Sequence, residues 1–135
     1  MSNPDIRAIL TSVKTIALVG ASANPARDSH HVMAYLQDRG YRVIPVNPGL
    51  AGQILLGETV AASLEAIEQT IDMVDIFRAS EHVPPVVDSA IAIKAKVVWM
   101  QLGVIHKDAA AKAEAAGLQV VMNRCPAIEI PKLGL

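Results

Sequence analysis

Aromatic side chains are nearly absent, with one Trp, one Phe and two Tyr in 135 residues. The core must therefore be built from Val, Ile, Leu and Ala, a composition suited to a parallel sheet covered on both faces. A single cysteine, Cys125, excludes an internal disulfide and a cysteine-rich zinc site. Neither sign of charge is in excess, with 12 Lys+Arg against 13 Asp+Glu and a formal charge of −1. No broad footprint for nucleic acid or an anionic membrane is expected from that balance. Long hydrophobic runs are missing too, because charged residues interrupt each apolar stretch well short of the roughly 20 residues of a membrane span. The opening MSNPDIRAIL carries an acid and lacks the basic start of a signal peptide. Together these absences predict a soluble cytoplasmic protein of one domain, residues 1–135, able to bury a core without staples.

What is present is an alternation of strand-like and helix-like stretches. A helix is predicted over roughly Pro4–Val13, followed by the buried strand KTIALVG (Lys14–Gly20). A helix from near Asp28 puts Val32, Tyr35 and Leu36 on one face and stops at Gly40. Strand Tyr41–Val46 ends at Asn47-Pro48-Gly49; QILLG reads as a short third strand, and Ser63–Ile67 as a helical turn. Strand Ile71–Phe77 precedes a helix with Ser80 as candidate N-cap, and Pro84 and Pro85 near its start, where missing amide donors cost little. Strand Ala95–Met100, a helix ending at Gly117 and strand Leu118–Met122 complete the series. The pattern predicts an α/β fold, a three-layer doubly wound parallel sheet of Rossmann type, with strand order left open.

A further shortage concerns the turn after the first strand. The dinucleotide fingerprint needs three glycines there, and IALVGASANPARDSHH contains only Gly20. Gly20, Ala21 and Ser22 still form a small-residue turn before a helix, where backbone amides attract phosphate. Arg27 could add a charge-assisted contact to a phosphate oxygen, against the plainer reading of Arg27 as a solvated charge with Asp28 or Ser29 as the N-cap. After the second strand stand Val46, Asn47 and Pro48, where a nicotinamide dinucleotide site wants an acid for its ribose. The missing acid suits a ligand whose ribose is phosphorylated. Polar or glycine-containing sequence also gathers at the other strand ends, at Phe77-Arg78, Gln101-Leu102-Gly103 and Asn123-Arg124-Cys125.

The blocks VGASANPARDS, GYRVIPVNP, VDIFRASEHVP, VVWMQLGV and VVMNRCPAIEIPKL, in this order, resemble the small stand-alone CoA-binding proteins of bacteria and archaea. Their fold is similar to the N-terminal CoA-binding domain of the succinyl-CoA ligase alpha subunit, and the resemblance runs from about Lys14 to Leu133. It implies coenzyme A, or a short acyl-CoA, as the small-molecule ligand across the strand ends. By motif it implies Gly20, Ala21 and Ser22 along the pyrophosphate with Arg27 on a phosphate group, and Val46, Asn47 and Pro48 beside the adenosine. It further implies Phe77 and Arg78 at the centre of the crevice, Gln101, Leu102 and Gly103 along the pantetheine, and Asn123, Arg124 and Cys125 closing the site.

No catalytic constellation stands out. Adjacent His30 and His31 diverge by about 100 degrees on a helix and cannot easily chelate one metal. His82, His106 and Glu81 fit capping or first-turn positions, and Glu129 is ambiguous. The ligases implied by the resemblance carry a phosphorylated histidine on a further domain, for which 135 residues leave no room. The expectation is thus a non-catalytic CoA binder acting as carrier, sensor or subunit, with a protein partner or homo-oligomer left open. The alternatives are an NADP-binding oxidoreductase-like module and a vestigial module that binds neither. Cys125 is expected to be buried and inert, the sharper alternative being a mixed disulfide with the CoA thiol.

Overall fold

The computed structural model describes residues 4–135. Five parallel strands form the main sheet: β1 (Thr15–Val19), β2 (Arg42–Val46), β5 (Met73–Ile76), β6 (Val97–Met100) and β7 (Gln119–Val121). They run in the order β2-β1-β5-β6-β7. The helices are α1 (Ile6–Ser12), α2 (Asp28–Asp38), α3 (Val83–Ala92), α4 (Lys107–Ala115) and α5 (Pro126–Lys132).

Strand alternation explains the three layers. In β1, Ile16 and Leu18 point to one face and Ala17 and Val19 to the other, and all four are buried. The Ile16 face packs against Ile9 and Leu10 of α1, Val32, Met33 and Leu36 of α2, and Ile130 of α5. The Ala17 face packs against Val83, Val87 and Ala90 of α3 and Ala109, Ala110 and Ala113 of α4. Small residues on α4 let it lie close to the sheet, which the scarcity of aromatics requires. The one Trp, Trp99, is fully buried and donates its indole N–H to the carbonyl of Arg124 at 2.8 Å.

Pro45 belongs near the sheet's margin because it has no amide to donate to a ladder. Among the described residues, only a bridge to Ala61 continues the pairing beyond β2, with Ala61 N–H donating to the Pro45 carbonyl at 2.9 Å. This bridge seats residues 61–65 beside the carboxyl end of β2.

Several local expectations are corrected. QILLG is no strand of the main sheet: Ile54–Leu55 (β3) pairs antiparallel with Glu58–Thr59 (β4) in a separate hairpin. Its two turn residues, Leu56 and Gly57, both have positive φ, the conformation a two-residue hairpin turn demands. Residues 63–67 do make the expected turn, Ala66 N–H donating to Ser63 O and Ile67 N–H to Leu64 O, and it is not extended into a helix. Ser80 does not cap α3 with its side chain; it opens a 3₁₀ turn, Ser80–His82, and its hydroxyl instead accepts from Ile105 N–H at 2.9 Å. Neither Asp28 nor Ser29 is the N-cap of α2: Arg27 occupies that position without a side-chain cap bond. The helix α5 follows Cys125, in a segment where the sequence pattern predicts none.

Candidate functional site at the strand ends

The chain leaves β1 toward β2 on one side and returns to β5 on the other. The crevice between diverging connections therefore lies at the carboxyl ends of β1 and β5. Gly20 sits at that point with φ +93°, a conformation that L side chains rarely adopt, and an added Cβ would lie 3.1 Å from the backbone of Phe77. Glycine is needed here for two reasons at once: the turn of the chain, and the close approach of the β5 end.

Three cavities meet at Gly20. The first, about 550 Å³, lies between the β2 end, residues 62–65 and the start of α3, with Pro48, Leu64 and Val86 as apolar walls and Arg78 and His82 as polar ones. The second, about 560 Å³, lies over the turn after β1 and takes in Ser22, Asn24, Arg27, Asn47 and Arg78. The third, about 570 Å³, runs between the α2 N-terminus and the end of β6, past Ser29, Phe77, Gln101 and Cys125.

The middle cavity holds the decisive electrostatics. Arg27 and Arg78 both line it, no carboxylate does, and among the described residues neither guanidinium is in an ion pair. Both side chains are exposed, and guanidinium forks match phosphate oxygens, so the hollow offers an anion two cationic partners. Asn47 holds the turn in shape. Its Nδ2 donates to the Ala21 carbonyl at 2.8 Å, and its Oδ1 accepts from Gly49 N–H at 2.8 Å.

A family model described as a CoA binding domain matches residues 14–131. The chain belongs to the CoA-binding domain family. The same chain is 39% identical over 128 residues, 93% of each, to uncharacterized protein YneT of Bacillus subtilis (strain 168). It is 42% identical to a hypothetical protein from Pyrococcus horikoshii OT3, covering 100% of this chain and 94% of that one, with a TM-score of 0.92. It also shares its fold with part of the dinucleotide forming acetyl-coenzyme A synthetase 1 of Ca. Korarchaeum cryptofilum, at 21% identity and a TM-score of 0.67 over 79% of this chain and 25% of that one.

Against this family background, most of the residues singled out in the sequence do converge. Gly20, Ala21, Ser22, Arg27, Val46, Asn47, Pro48, Phe77, Arg78, Gln101 and Leu102 all line one or more of the three cavities. Gly103, Asn123 and Arg124 do not. Asn123 has φ 59° and its Oδ1 accepts from Gly103 N–H at 2.7 Å, so the two tie the β6 and β7 loops together. Arg124 lies 3.7 Å from the buried Glu129. The amides of Gly20 and Ala21 are also committed, both donating to the Val46 carbonyl at 3.1 and 3.3 Å. Any phosphate must therefore be met by other donors.

Sequence reasoning missed Ser29, buried at the third cavity, and Asp75, which lies wholly inside β5 and is 0% exposed. An acid within the apolar run IDMVDIF was the available signal for Asp75. Its partner is Gln101, whose Nε2 donates to the two carboxyl oxygens at 2.9 and 3.2 Å. Burial, with no cation beside it, pushes the Asp75 carboxyl well above the usual carboxylate range. His106 caps α4, accepting from Ala109 N–H at 3.1 Å through Nδ1. Among the described residues no cluster of His, Cys, Asp and Glu suits a metal, and no helix is long and apolar enough to cross a membrane.

Proposed function

We propose that the chain binds coenzyme A or a short acyl-CoA across the carboxyl ends of its sheet, as a non-catalytic carrier, sensor or subunit in the cytoplasm. The observation that carries this reading is the middle cavity, where Arg27 and Arg78 face a hollow free of carboxylates. A diphosphate suits that charge, and membership of the CoA-binding domain family supports CoA as its bearer. The first cavity offers Pro48, Leu64 and Val86 as an apolar shelf for a base, with Asn47 where a ribose-binding acid would repel a ribose phosphate. The third cavity offers the remaining length for pantetheine, past Phe77, Gln101 and Leu102. Gly103, Asn123 and Arg124 then support the loops rather than touch the ligand.

Titration calorimetry with CoA, NADP and NAD tests the assignment. CoA should bind and the two nicotinamide dinucleotides should not; tight NADP binding with no CoA heat would reverse it. Arg27→Ala should weaken CoA by about 1.5–3 kcal/mol, the worth of a hydrogen bond to a charged group. Unchanged affinity in a folded Arg27→Ala protein would remove Arg27 from the site.

A further inference from the structure

The third cavity reaches the chain's one cysteine. Cys125, between β7 and α5, is 7% exposed and lines the cavity. It otherwise belongs to the core cluster that holds Trp99 and Ile130. Its sulfur is free, and although the residue stands just before α5 it makes no side-chain cap bond there. The backbone fixes its position. The Cys125 carbonyl accepts from Ile128 and Glu129 N–H, both at 3.0 Å, and Arg124 N–H donates to the Met100 carbonyl at 3.3 Å. With so little of the residue exposed, a reagent must come to this thiol through the cavity.

A second group in the same cavity calls for a ligand. Ser29 of α2 is 6% exposed, and its hydroxyl has no hydrogen-bond partner among the described residues. No unpartnered side-chain oxygen or nitrogen among them is sealed from solvent, so this hydroxyl opens into the cavity that Ser29 lines. A hydroxyl both donates and accepts, which suits an amide of a pantetheine arm. Gln101 lines the cavity as well, but its Nε2 is committed to Asp75. Leu102 and Ile128, 57% and 51% exposed, line the outer part. An arm that starts at the phosphates and passes Ser29 brings its terminal sulfur into the space that Cys125 borders.

We infer that Cys125 is a modification site that takes CoA itself, as a mixed disulfide with the cofactor's sulfur. The step is thiol–disulfide exchange with CoA disulfide. The Cys125 sulfur attacks one sulfur of that disulfide, its S–S bond breaks, and a new S–S bond joins Cys125 to one CoA. The other CoA departs as a thiolate and takes up the proton that Cys125 gave up. One disulfide replaces another, and no further oxidant enters. The protein thereby holds CoA covalently when the surrounding CoA is oxidised, and a reducing thiol releases it. This inference rests on the CoA reading of the neighbouring cavities.

The experiment treats the reduced protein with CoA disulfide, or with oxidised glutathione at the same concentration, and follows intact mass. Cys125 is the one cysteine, so the mass alone locates the adduct. One CoA should add, dithiothreitol should remove it, and the reaction should run at least tenfold faster than with glutathione. Desulfo-CoA, which lacks the sulfur, should slow the CoA reaction at least fivefold by occupying the cavities. No CoA adduct, or equal rates with the two disulfides, overturns the inference, because a thiol reached without the cavity would not distinguish them. A rate unmoved by saturating desulfo-CoA overturns it too. Calorimetry with CoA under reducing conditions separates the two readings: binding without an adduct leaves the CoA reading standing, and absence of both strikes it as well.

Discussion

At the scale of single residues, two aspartates of one strand region sit in opposite electrostatic situations. Asp72, just before β5, is partly buried, which raises its pKa. The amides of Lys14 and Thr15 and the ammonium of Lys96 outweigh that and hold it below the usual range. It stabilises the fold above its unfolded pKa, and that contribution is lost as pH falls through the lower folded value. Asp75 works in the other direction. Its folded pKa is raised, so the native state binds the proton more tightly, and stability is lost as pH rises above the unfolded value of about 3.9. Asp75→Asn abolishes that loss. Urea denaturation at pH 5 and pH 8 should show the variant gaining on the parent protein at the higher pH. A difference independent of pH would mean that Asp75 is ionised already or exposed. The acid was readable in the sequence as a charge inside an apolar run. Its partner was not, because Asp75 and Gln101 are brought together only by the pairing of β5 with β6.

At the scale of elements, the helix–strand alternation was legible wherever apolar residues repeat with a clear period. The core strands β1, β2, β5, β6 and β7 lie within the predicted stretches, each shortened by one to three residues at its ends. Legibility failed where structure depends on neighbours. The α5 segment holds Pro126 and Pro131, and the second removes a helical hydrogen bond from a seven-residue helix. Tertiary contacts compensate: Ile130 is 1% exposed against the α1 and α2 layer, while Ile128 on the same helix is 51% exposed. Ile130→Ala should therefore cost about 2–5 kcal/mol in equilibrium denaturation. Ile128→Ala should cost far less. Similar values for both would show that α5 is not docked as described. The β3–β4 hairpin is the converse case, a turn of Leu56-Gly57 that breaks the three-residue apolar run Ile54-Leu55-Leu56.

At the scale of the whole molecule, a ligand placed as proposed across the three adjoining cavities would tie β1, β2, β5 and β6 together through contacts the unfolded chain cannot make. Under the proposed function, mass action would make CoA a stabiliser of the folded state. At a free concentration 100 times its dissociation constant it should add about 2.7 kcal/mol. For a domain of this length that is roughly 10 °C in Tm. Calorimetric scans with rising CoA would show the shift growing with the logarithm of concentration, and a Tm insensitive to CoA would contradict the proposed site.

By itself the sequence determined that the chain has an α/β fold, that aliphatic residues build its core, and that one small-residue turn replaces the glycine fingerprint. Those properties are local, set by side-chain period, turn chemistry and composition. Only the tertiary structure decided the strand order, the convergence of Arg27 and Arg78 on one hollow, the burial of Ser29 and Gln101 beside another, and the pairing of Gln101 with Asp75. Pairing between strands distant in sequence sets which loops meet. The protonation and hydrogen-bonding of buried groups follow from that meeting, not from their neighbours along the chain.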